Sequence, residues 1–412
     1  MPLRQDCDQV VAHTLSAVQP GPAVARALTG RSFSCGRLYL VAVGKAAWPM
    51  ADAALKALSR PVNAGIVITK YGHSQGPLPG VKIYEAGHPI PDAAGLAATR
   101  QALALTEDLK PEDTVLLLLS GGGSALLEQP LLPLEQLQEL TEQLLRSGAE
   151  IGEINQIRKR LSAVKGGRFA QHCAPAQVFS IVLSDVLGDP LDAIASGPAY
   201  PDPTTAAQAQ GIAEKYRLKL SAEARARLAE ETPKELTNAR SVVTGSVRQL
   251  CTAAAGAASE LGYTPIVLST SLCCEAREAG SFLASIAQYH RDTETSLAFI
   301  LGGETVVHLT GDGLGGRNQE LALGAAQGIA GMQDTLIFSV GSDGTDGPTD
   351  AAGGWVDGET LSRLTQAGLR VEDVLRRNDA YHALQAIGNL IFTGPTGTNV
   401  NDLTVLLLKR SS

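Results

Sequence analysis

The stretch TVLLLLSGGGS, residues 114–124, joins a strand-length apolar run to three consecutive glycines between two serines. A run of Thr, Val and Leu is typical of a strand buried on both faces, as in a parallel sheet. Ligands of parallel α/β folds gather where such strands end and a loop leads into a helix. The loop Ser120-Gly121-Gly122-Gly123-Ser124 is therefore predicted to bind a phosphate or carboxylate, because glycines let the backbone and the following helix N-terminus approach an anion closely. A tight strand–helix turn is the alternative.

The same alternation of apolar runs and helical segments continues along the chain. Strands are predicted at Leu38–Val43, Ala64–Thr69, Lys82–Glu85, Thr114–Leu119, Gln177–Leu183, Ser241–Thr244, Pro265–Ser269, Ala298–Leu301, Thr305–Leu309, Leu336–Val340 and Leu403–Leu407. Helices are predicted at Ala46–Leu58, Ala93–Leu103, Pro133–Arg146, Gln319–Gly328 and Tyr381–Ile387. This order predicts an α/β fold, with parallel sheets covered by helices on both faces.

Length and charge narrow the class of protein. A chain of 412 residues exceeds what one hydrophobic core usually serves, so we expect two domains. The boundary is predicted near residue 237, in the Glu- and Arg-rich stretch Lys219–Ala239, which separates domains 1–236 and 237–412. The 34 Lys and Arg against 42 Asp and Glu give a net charge of −8, and no basic run stands out. Neither a nucleic acid nor a membrane surface is therefore an expected partner.

The cysteines and the apolar runs predict a reduced, cytoplasmic protein. The six cysteines show neither C-x-x-C spacing nor a histidine-paired metal pattern, so we expect free thiols. The N-terminal residues MPLRQDCDQV lack the apolar stretch of a secretory signal. The longest apolar runs have the length of a strand and are too short to span a bilayer.

Lys45 follows the first predicted strand, in the sequence Val43-Gly44-Lys45-Ala46. This is not a Walker A loop, since the upstream glycine and the Ser or Thr after the lysine are missing. A lysine at the start of a helix faces the positive end of the helix dipole, and a bound anion would remove that mismatch. A surface lysine without a ligand is the alternative.

Three aspartates follow the strand Gln177–Leu183: Asp185, Asp189 and Asp192. Carboxylates at a strand end could hold Mg²⁺ together with substrate phosphates. One of them could instead take a proton from a substrate hydroxyl. Asp185 is the candidate for this base, and Asp189 and Asp192 are the candidate metal ligands. A solvated loop with one helix cap is the alternative.

The second half carries Gly302-Gly303-Glu304 and then a G-x-G-x-x-G sequence formed by Gly311, Gly313 and Gly316. Taken alone, the second motif indicates a dinucleotide site and a dehydrogenase, but the expected acidic residue at the usual spacing is missing. Arg317 follows the third glycine, and Asn318 and Gln319 come next. This group is more typical of a clamp for phosphate or carboxylate oxygens than of a glycine-rich hairpin with a surface arginine.

Two further loops concentrate side-chain oxygens at strand ends. The candidate nucleotide-binding residues in them are Asp343, Asp346, Asn399 and Asn401. Glu304 and Asn318 of the preceding motifs are candidates for the same role. A nucleotide–metal site explains two such loops better than unrelated turns do, although each alone could be a turn. His88 lies in a Pro-rich turn and could touch substrate, but a structural histidine is favoured.

Taken together, these motifs resemble one family, the glycerate kinases that are also known as hydroxypyruvate reductases of the tartrate pathway and that carry a MOFRL domain. The matching segments are Val43–Ala47, Gly87–Pro89, Ser120–Ala125, Asn155–Lys159, Ser184–Asp189, Ser196–Pro198, Gly302–Thr305, Gly315–Glu320, Asp343–Gly347 and Thr398–Asp402. They follow in order along nearly the whole chain, so the resemblance is specific.

The resemblance implies a Rossmann-like N-terminal domain, a smaller mixed α/β C-terminal domain and an active site in the cleft between them. The implied reaction is the phosphorylation of D-glycerate by ATP with Mg²⁺, typically at the 2-hydroxyl. Lys45 and Arg317 match the lysine and arginine that are the usual active-site candidates of the family. The homodimer is one open alternative for assembly.

These roles define a mechanistic hypothesis. Lys45 and Arg317 neutralise charge on the transferring phosphoryl group, and Asp185 or Asp189 orients or deprotonates the attacking hydroxyl. Two other functions stay open at this point. One is an NAD(P)H-dependent hydroxypyruvate reductase that uses the G-x-G-x-x-G loop. The other is a non-catalytic sensor of a sugar acid, which the number of charged candidates disfavours.

Overall fold

The computed structural model describes residues 2–33 and 35–410, and its contacts divide the chain into two compact units. The first unit is Pro20–Thr244, and the second combines Met1–Gln19 with Gly245–Ser412. The predicted boundary at 236/237 thus falls just before the last strand of the first sheet, and the N-terminal helix groups with the second unit. Among the described residues, no helix is long and apolar enough to cross a membrane.

The first unit is built on a six-stranded sheet. Its strands are β1 (Leu38–Val43), β2 (Ala64–Lys70), β3 (Val81–Ala86), β4 (Thr114–Leu119), β5 (Gln177–Leu183) and β6 (Ala239–Gly245). The strand order is β3-β2-β1-β4-β5-β6, and the pairs from β3 across to β5 are parallel. This is the order of a doubly wound dinucleotide-binding sheet, so the predicted Rossmann-like fold is confirmed.

Helices cover this sheet. They are α2 (Pro20–Leu28), α3 (Ala47–Ala57), α4 (Ala93–Leu105), α5 (Gly123–Leu126), α6 (Leu134–Arg146), α7 (Ile151–Arg160), α8 (Arg168–His172), α9 (Ala206–Lys215) and α10 (Ala222–Leu228). β1 and β4 are buried along their whole length, as their uniformly apolar sequences predict. Two apolar clusters pack on the sheet, and a third joins α6, α7, α9 and α10.

The second unit contains a mixed six-stranded sheet. Its strands are β7 (Thr264–Leu272), β8 (Leu297–Gly303), β9 (Thr335–Gly341), β10 (Gly353–Asp357), β11 (Leu390–Ile391) and β12 (Asp402–Leu408), in the order β11-β10-β9-β12-β8-β7. β7 and β8 are parallel, whereas β12 is antiparallel to both β8 and β9. The mixed sheet agrees with the family resemblance, and the expectation of purely parallel sheets from alternation alone is wrong for this unit.

The helices of the second unit are α1 (Pro2–Ala17), α11 (Val247–Glu260), α12 (Ala276–Tyr289), α13 (Arg317–Ala325), α14 (Thr360–Gln366), α15 (Val371–Arg376) and α16 (Ala380–Ala386). The predicted strand Thr305–Leu309 does not form. Within this segment the chain makes one isolated bridge, between Val306 and Glu275, and the side chains of Val306 and Leu309 are exposed. An apolar run without a partner strand gains no ladder of hydrogen bonds.

Candidate active site

The loops after β1 and β4 meet at the point where the strand order of the first sheet reverses. The Lys45 amide donates to the Gly121 carbonyl at 2.9 Å, and the Ala46 amide donates to Ser120 Oγ at 3.0 Å. A Cβ atom at Gly44 would lie 2.1 Å from Ser120 Oγ, so only glycine allows this approach. Ligands of doubly wound sheets bind at such switch points. The structure therefore brings Lys45 and the glycine loop together at the expected place.

The glycine loop is also the point where two further side chains arrive. A Cβ at Gly121 would lie 2.1 Å from Asp185 Oδ2. A Cβ at Gly122, whose φ is +86°, would lie 3.1 Å from His88 Nε2 and 3.4 Å from Lys45 Cγ. The glycines thus leave room for a carboxylate, an imidazole and a lysine stem around one stretch of backbone. A cation, a candidate base and a neutral hydrogen-bonding ring are grouped here.

The surroundings of His88 favour the uncharged form of its ring. Burial lowers the pKa of the imidazole below its usual range, and the positive charges of Lys45 and Lys70 lower it further. A neutral ring offers one donor and one acceptor without adding a second charge beside Lys45. The sequence favoured a structural role for His88, and its place against Gly122 makes it a candidate contact for substrate.

The segment after the glycine loop is held by two cations that have no assigned role in the sequence hypothesis. Helix α5 is only one turn long, so its dipole would attract an anion less strongly than that of a longer helix. Arg158 Nη2 donates to the Ser124 carbonyl at 3.0 Å, and Lys165 Nζ donates to the Leu127 carbonyl at 2.7 Å. These bonds fasten both ends of the turn that carries the glycines. The Asn155–Lys159 motif was the only local signal for Arg158.

Lys165 is fully buried and pairs with the equally buried Glu128 at 2.9 Å. Burial lowers the pKa of the lysine to about 8, although the carboxylate acts in the opposite direction. Removing either partner would leave an uncompensated charge in the interior. The pair therefore locks the geometry behind the glycine loop.

The three aspartates after β5 have different surroundings. Asp185 lies at the glycine loop, as described. Asp192 forms an ion pair with the buried ammonium of Lys159 at 3.0 Å, which engages its Oδ2 atom. Asp189 has a buried Oδ1 atom that accepts no hydrogen bond in the described part of the chain, and this oxygen fits a single ligand position. Within residues 2–33 and 35–410, no cluster of three His, Cys, Asp or Glu side chains could hold a metal ion by itself.

The second unit gathers its candidates at one end of its sheet. Asp402, the first residue of β12, pairs with Gly303 of β8 and with Gly341 of β9. Both pairings are antiparallel, so β12 begins where β8 and β9 end. This end of the sheet therefore carries three predicted site residues: Glu304, Asp343 and Asn401.

Arg317 begins α13 at this end of the sheet and forms a bidentate ion pair with Asp402. The Nε–Oδ2 and Nη2–Oδ1 distances are 2.5 and 3.0 Å, and Glu304 Oε1 lies 3.7 Å from Nη2. Asn401 Nδ2 donates to Glu304 Oε2 at 3.3 Å. Burial acts to lower the pKa of Arg317, but the bonded Asp402 carboxylate outweighs it and the pKa is raised. Arg317 is thus a permanent cation, one-third exposed, with a fixed orientation.

Asp346 has a position that bears on the dinucleotide alternative. It is buried and accepts from the amides of Asn318 and Gln319, at 3.1 and 2.8 Å, in the first turn of α13. A Cβ at Gly316 would lie 2.3 Å from Asp346 Cγ. A bound pyrophosphate would need those same amides at the helix N-terminus. The carboxylate therefore occupies the place that the dehydrogenase hypothesis requires for its cofactor.

Close packing explains the first two glycines of the G-x-G-x-x-G sequence, Gly311 and Gly313. Cβ atoms at Gly311 and Gly313 would each lie 2.5 Å from the Arg377 carbonyl oxygen.

Asn318 is buried, like Asp346. Its Nδ2 atom donates to Asp346 Oδ1 at 3.2 Å, and its side-chain oxygen accepts from Ser339 Oγ at 2.6 Å. Asn318 and Asp346, both predicted to touch nucleotide, are thus engaged in holding the start of α13.

The two oxygen-rich loops lie side by side. Thr396 Oγ1 donates to the Ser342 carbonyl at 2.5 Å, and the Val400 amide donates to Ser342 Oγ at 2.8 Å. The carboxylate of Asp343 accepts from the Thr345 amide at 3.0 Å, and Asn399 Oδ1 accepts from the Asn401 amide at 3.3 Å. Asp343 and Asn399 remain partly exposed and could still contact a ligand.

Asp346 leads to a prediction on pH. Burial raises its pKa to about 6 from 3.8, against the hydrogen bonds from Gln319 and Asn318. Between these values the folded chain binds the proton more tightly than the unfolded chain, so this contribution to stability is complete below about pH 4 and is lost as pH rises through 6. We therefore compare the free energy of unfolding of the native chain with that of Asp346→Asn. The difference, native minus variant, should fall by about 3 kcal/mol between pH 4 and pH 7, because each unit of pKa shift corresponds to about 1.4 kcal/mol.

Urea unfolding at several pH values measures this difference. Asp312→Asn, which alters an exposed carboxylate of the same unit, is the matched control and should follow the native chain throughout. A difference between native chain and Asp346→Asn that stays constant with pH would contradict the assignment.

Known proteins match the chain over almost its full length. A domain of unknown function, DUF4147, matches residues 6–229, and the MOFRL family matches residues 297–402. The chain is 50% identical over 406 residues to D-glycerate 2-kinase of Thermotoga maritima, with 97% of each chain covered. It is 40% identical to glycerate 2-kinase of Pyrococcus horikoshii, over 99% of this chain and 98% of that protein. The crystal structure of glycerate kinase from Thermotoga maritima matches with a TM-score of 0.95 and 49% identity, over 99% of this chain and 100% of that one.

Proposed function

The chain belongs to the glycerate kinase family with DUF4147 and MOFRL domains, as its motifs predicted, and from this premise we propose that it phosphorylates D-glycerate at the 2-hydroxyl with ATP. The observation that carries the proposal is the group formed by Lys45, Asp185 and His88 around the glycine loop at the switch point of the first sheet. It provides a cation for phosphate, a carboxylate for a hydroxyl proton and backbone space for a small anion.

Charge neutralisation is the main task in phosphoryl transfer, since the reaction needs positioning and little covalent chemistry from the protein. We assign that task to Lys45 and Arg317. The Arg317 guanidinium is oriented by Asp402, and its exposed part is free to face phosphate oxygens. Glu304 and Asn401, which are bonded to each other, border the same cation and are candidates for contacts to the nucleotide.

The acceptor hydroxyl needs a group that takes its proton. Asp185 is the proposed base, because its carboxylate lies against Gly121, where a small substrate would sit. The glycine loop is proposed to bind the glycerate carboxylate or a transferred phosphate through its backbone amides. The neutral His88 ring would donate to, or accept from, a substrate hydroxyl beside Gly122.

Magnesium is part of the proposal as the ion that accompanies ATP. Asp189 Oδ1 is a buried oxygen after β5 that accepts no hydrogen bond among the described residues, so we propose it as a ligand, with phosphate oxygens and water as the others. When bound, the ion would neutralise phosphate charge. The cytoplasmic location and the homodimer stay predictions.

A paired assay on the purified protein tests the function. One arm follows ADP release from ATP and Mg²⁺ with D-glycerate, and the phosphorus NMR spectrum of the product distinguishes 2- from 3-phosphoglycerate. The other arm follows NADH or NADPH oxidation with hydroxypyruvate. We expect ADP release with formation of 2-phosphoglycerate and no oxidation, because Asp346 occupies the dinucleotide position. Oxidation without ADP release would overturn the proposal.

A further inference from the structure

A cavity lies in the second unit, at the end of the sheet remote from Arg317. It has a volume of about 430 Å³ and lies between the start of α1, the chain before β9 and the end of β10. Thr335 and Leu336, which begin β9, line it, whereas Gly341 at the other end of β9 pairs with Asp402. Six residues of strand separate these ends by about 20 Å at ~3.3 Å per residue. The cavity is therefore separate from the candidate site around Arg317, which lies at the other end of the sheet.

Trp355 is the main reason to regard this cavity as a binding site. The residue lines it and is only 5% exposed, and the indole Nε1–H finds no acceptor in the described part of the chain. The backbone around it is fully engaged, since the Trp355 amide donates to the Asn389 carbonyl at 3.0 Å and Asn389 Nδ2 donates to the Trp355 carbonyl at 2.9 Å. A buried N–H without an acceptor is unfavourable, so an acceptor supplied from outside would be bound favourably.

Two guanidinium groups flank the same ring. The Arg4 and Arg363 carbons Cζ lie 5.2 and 5.3 Å from the ring centroid. Each group is anchored by one carboxylate, Arg4 by Asp8 at 2.7 Å and Arg363 by Asp357 at 2.6 Å. Arg4 Nη1 and Arg363 Nε are buried and donate to no oxygen within the described residues. Three N–H donors around Trp355 therefore have no acceptor among the described residues.

We propose that this cavity binds a small carboxylate, whose oxygens accept from Trp355 Nε1 and Arg4 Nη1. A planar carboxylate has acceptor positions for two donors at once and stabilises a cation that is already fixed. The volume of the cavity, about 430 Å³, is within the range of small-molecule sites. Asp334 and Glu359 line the cavity and are exposed, so a multiply charged phosphate would meet repulsion, whereas an ammonium group beside the carboxylate would be attracted. A simple carboxylic acid and an α-amino acid are therefore the two sources of the same ligand chemistry.

The two tryptophans of the chain, Trp48 and Trp355, make a direct test possible. In Trp48→Phe, the indole of the cavity is the sole tryptophan and reports on its own environment. We titrate this variant, without nucleotide or glycerate, with propanoate, with L-alanine and with the uncharged analogue 1-propanol. Saturable changes in fluorescence with propanoate or L-alanine, and none with 1-propanol, are expected. Tighter binding of L-alanine would identify an amino acid as the source, and equal or weaker binding would identify a simple acid.

Two further variants separate this site from the glycine loop, which is also proposed to bind a carboxylate. Arg4→Gln should weaken the response at least tenfold, while Arg376→Gln, which changes an exposed arginine of the same unit, should not change it. The response should persist in Lys45→Ala. Thermal unfolding in the absence of ligand verifies that each variant is folded. The absence of saturable change with either carboxylate, or a response that Arg4→Gln leaves intact, would overturn the proposal.

Discussion

Replacing Lys45 by alanine is expected to lower kcat for glycerate phosphorylation at least about a hundredfold, which corresponds to roughly 3 kcal/mol of lost transition-state stabilisation. The lysine extends from the loop after β1 and packs its stem over Gly122, and no carboxylate in the described residues forms an ion pair with it. Its charge is therefore available for phosphate. Because a partly exposed side chain without an ion pair is removed, the free energy of unfolding should change by only about 0.5 kcal/mol.

Lys70→Ala is the matched control for Lys45→Ala. Lys70 is the last residue of β2, which neighbours β1, so both lysines lie at the same end of the sheet. The charge of Lys70 also lowers the pKa of His88. The substitution removes an equal charge nearby, so it should leave kcat within a few-fold of the native value. Steady-state kinetics and urea unfolding on both variants decide the matter. Similar losses in the two variants would mean that Lys45 contributes only to the general field, and normal turnover of Lys45→Ala would remove it from the mechanism.

Arg317→Ala is expected to reduce both activity and stability. The loss of activity should again be at least about a hundredfold, because a fixed guanidinium can stabilise charge on phosphate without reorganisation. The loss of stability has another cause. The side chain of Asp402 is only 6% exposed, and truncation of Arg317 leaves its carboxylate buried without its charged partner. Breaking such a pair costs about 3 kcal/mol or more.

A second substitution separates these two effects. Asp402→Asn in the Arg317→Ala background removes the uncompensated charge, so the unfolding free energy should return most of the way to the native value. Activity should stay low, because the guanidinium is still missing. Arg376→Ala, at an exposed arginine of the same unit, is the control for charge loss. Recovery of turnover together with stability in the double variant would show that Arg317 acts only through the fold.

Several features of the fold could be predicted because they are local. Strands such as β1 and β4 are apolar runs of strand length that lead into glycine-containing loops, and the structure has them at the predicted bounds. The pattern was less informative where a strand depends on a partner. Thr305–Leu309 has a strand-like composition but pairs with a neighbour at a single residue, Val306. Strand β10, with two glycines in five residues, was not predicted.

The candidate site divides in the same way. Residue types alone indicated Lys45, the glycine loop, Asp185 and Arg317. They did not indicate how the carboxylates are used, since Asp192 pairs with Lys159 and Asp346 caps α13. Both are aspartates in loops that follow strands, and such a loop has the same composition whether its carboxylate faces a ligand or the protein interior.

By itself the sequence determined the strands with their glycine and aspartate loops, and, through motifs spread along the chain, the family. Only the tertiary structure decided which cations hold the turn after Ser120–Ser124, namely Arg158 and Lys165, and which donors around Trp355 lack an acceptor. The physical reason is that strand formation and loop chemistry depend on neighbours in sequence. Burial, ion pairing and unsatisfied hydrogen bonds depend on groups that are far apart in the chain and meet only after folding.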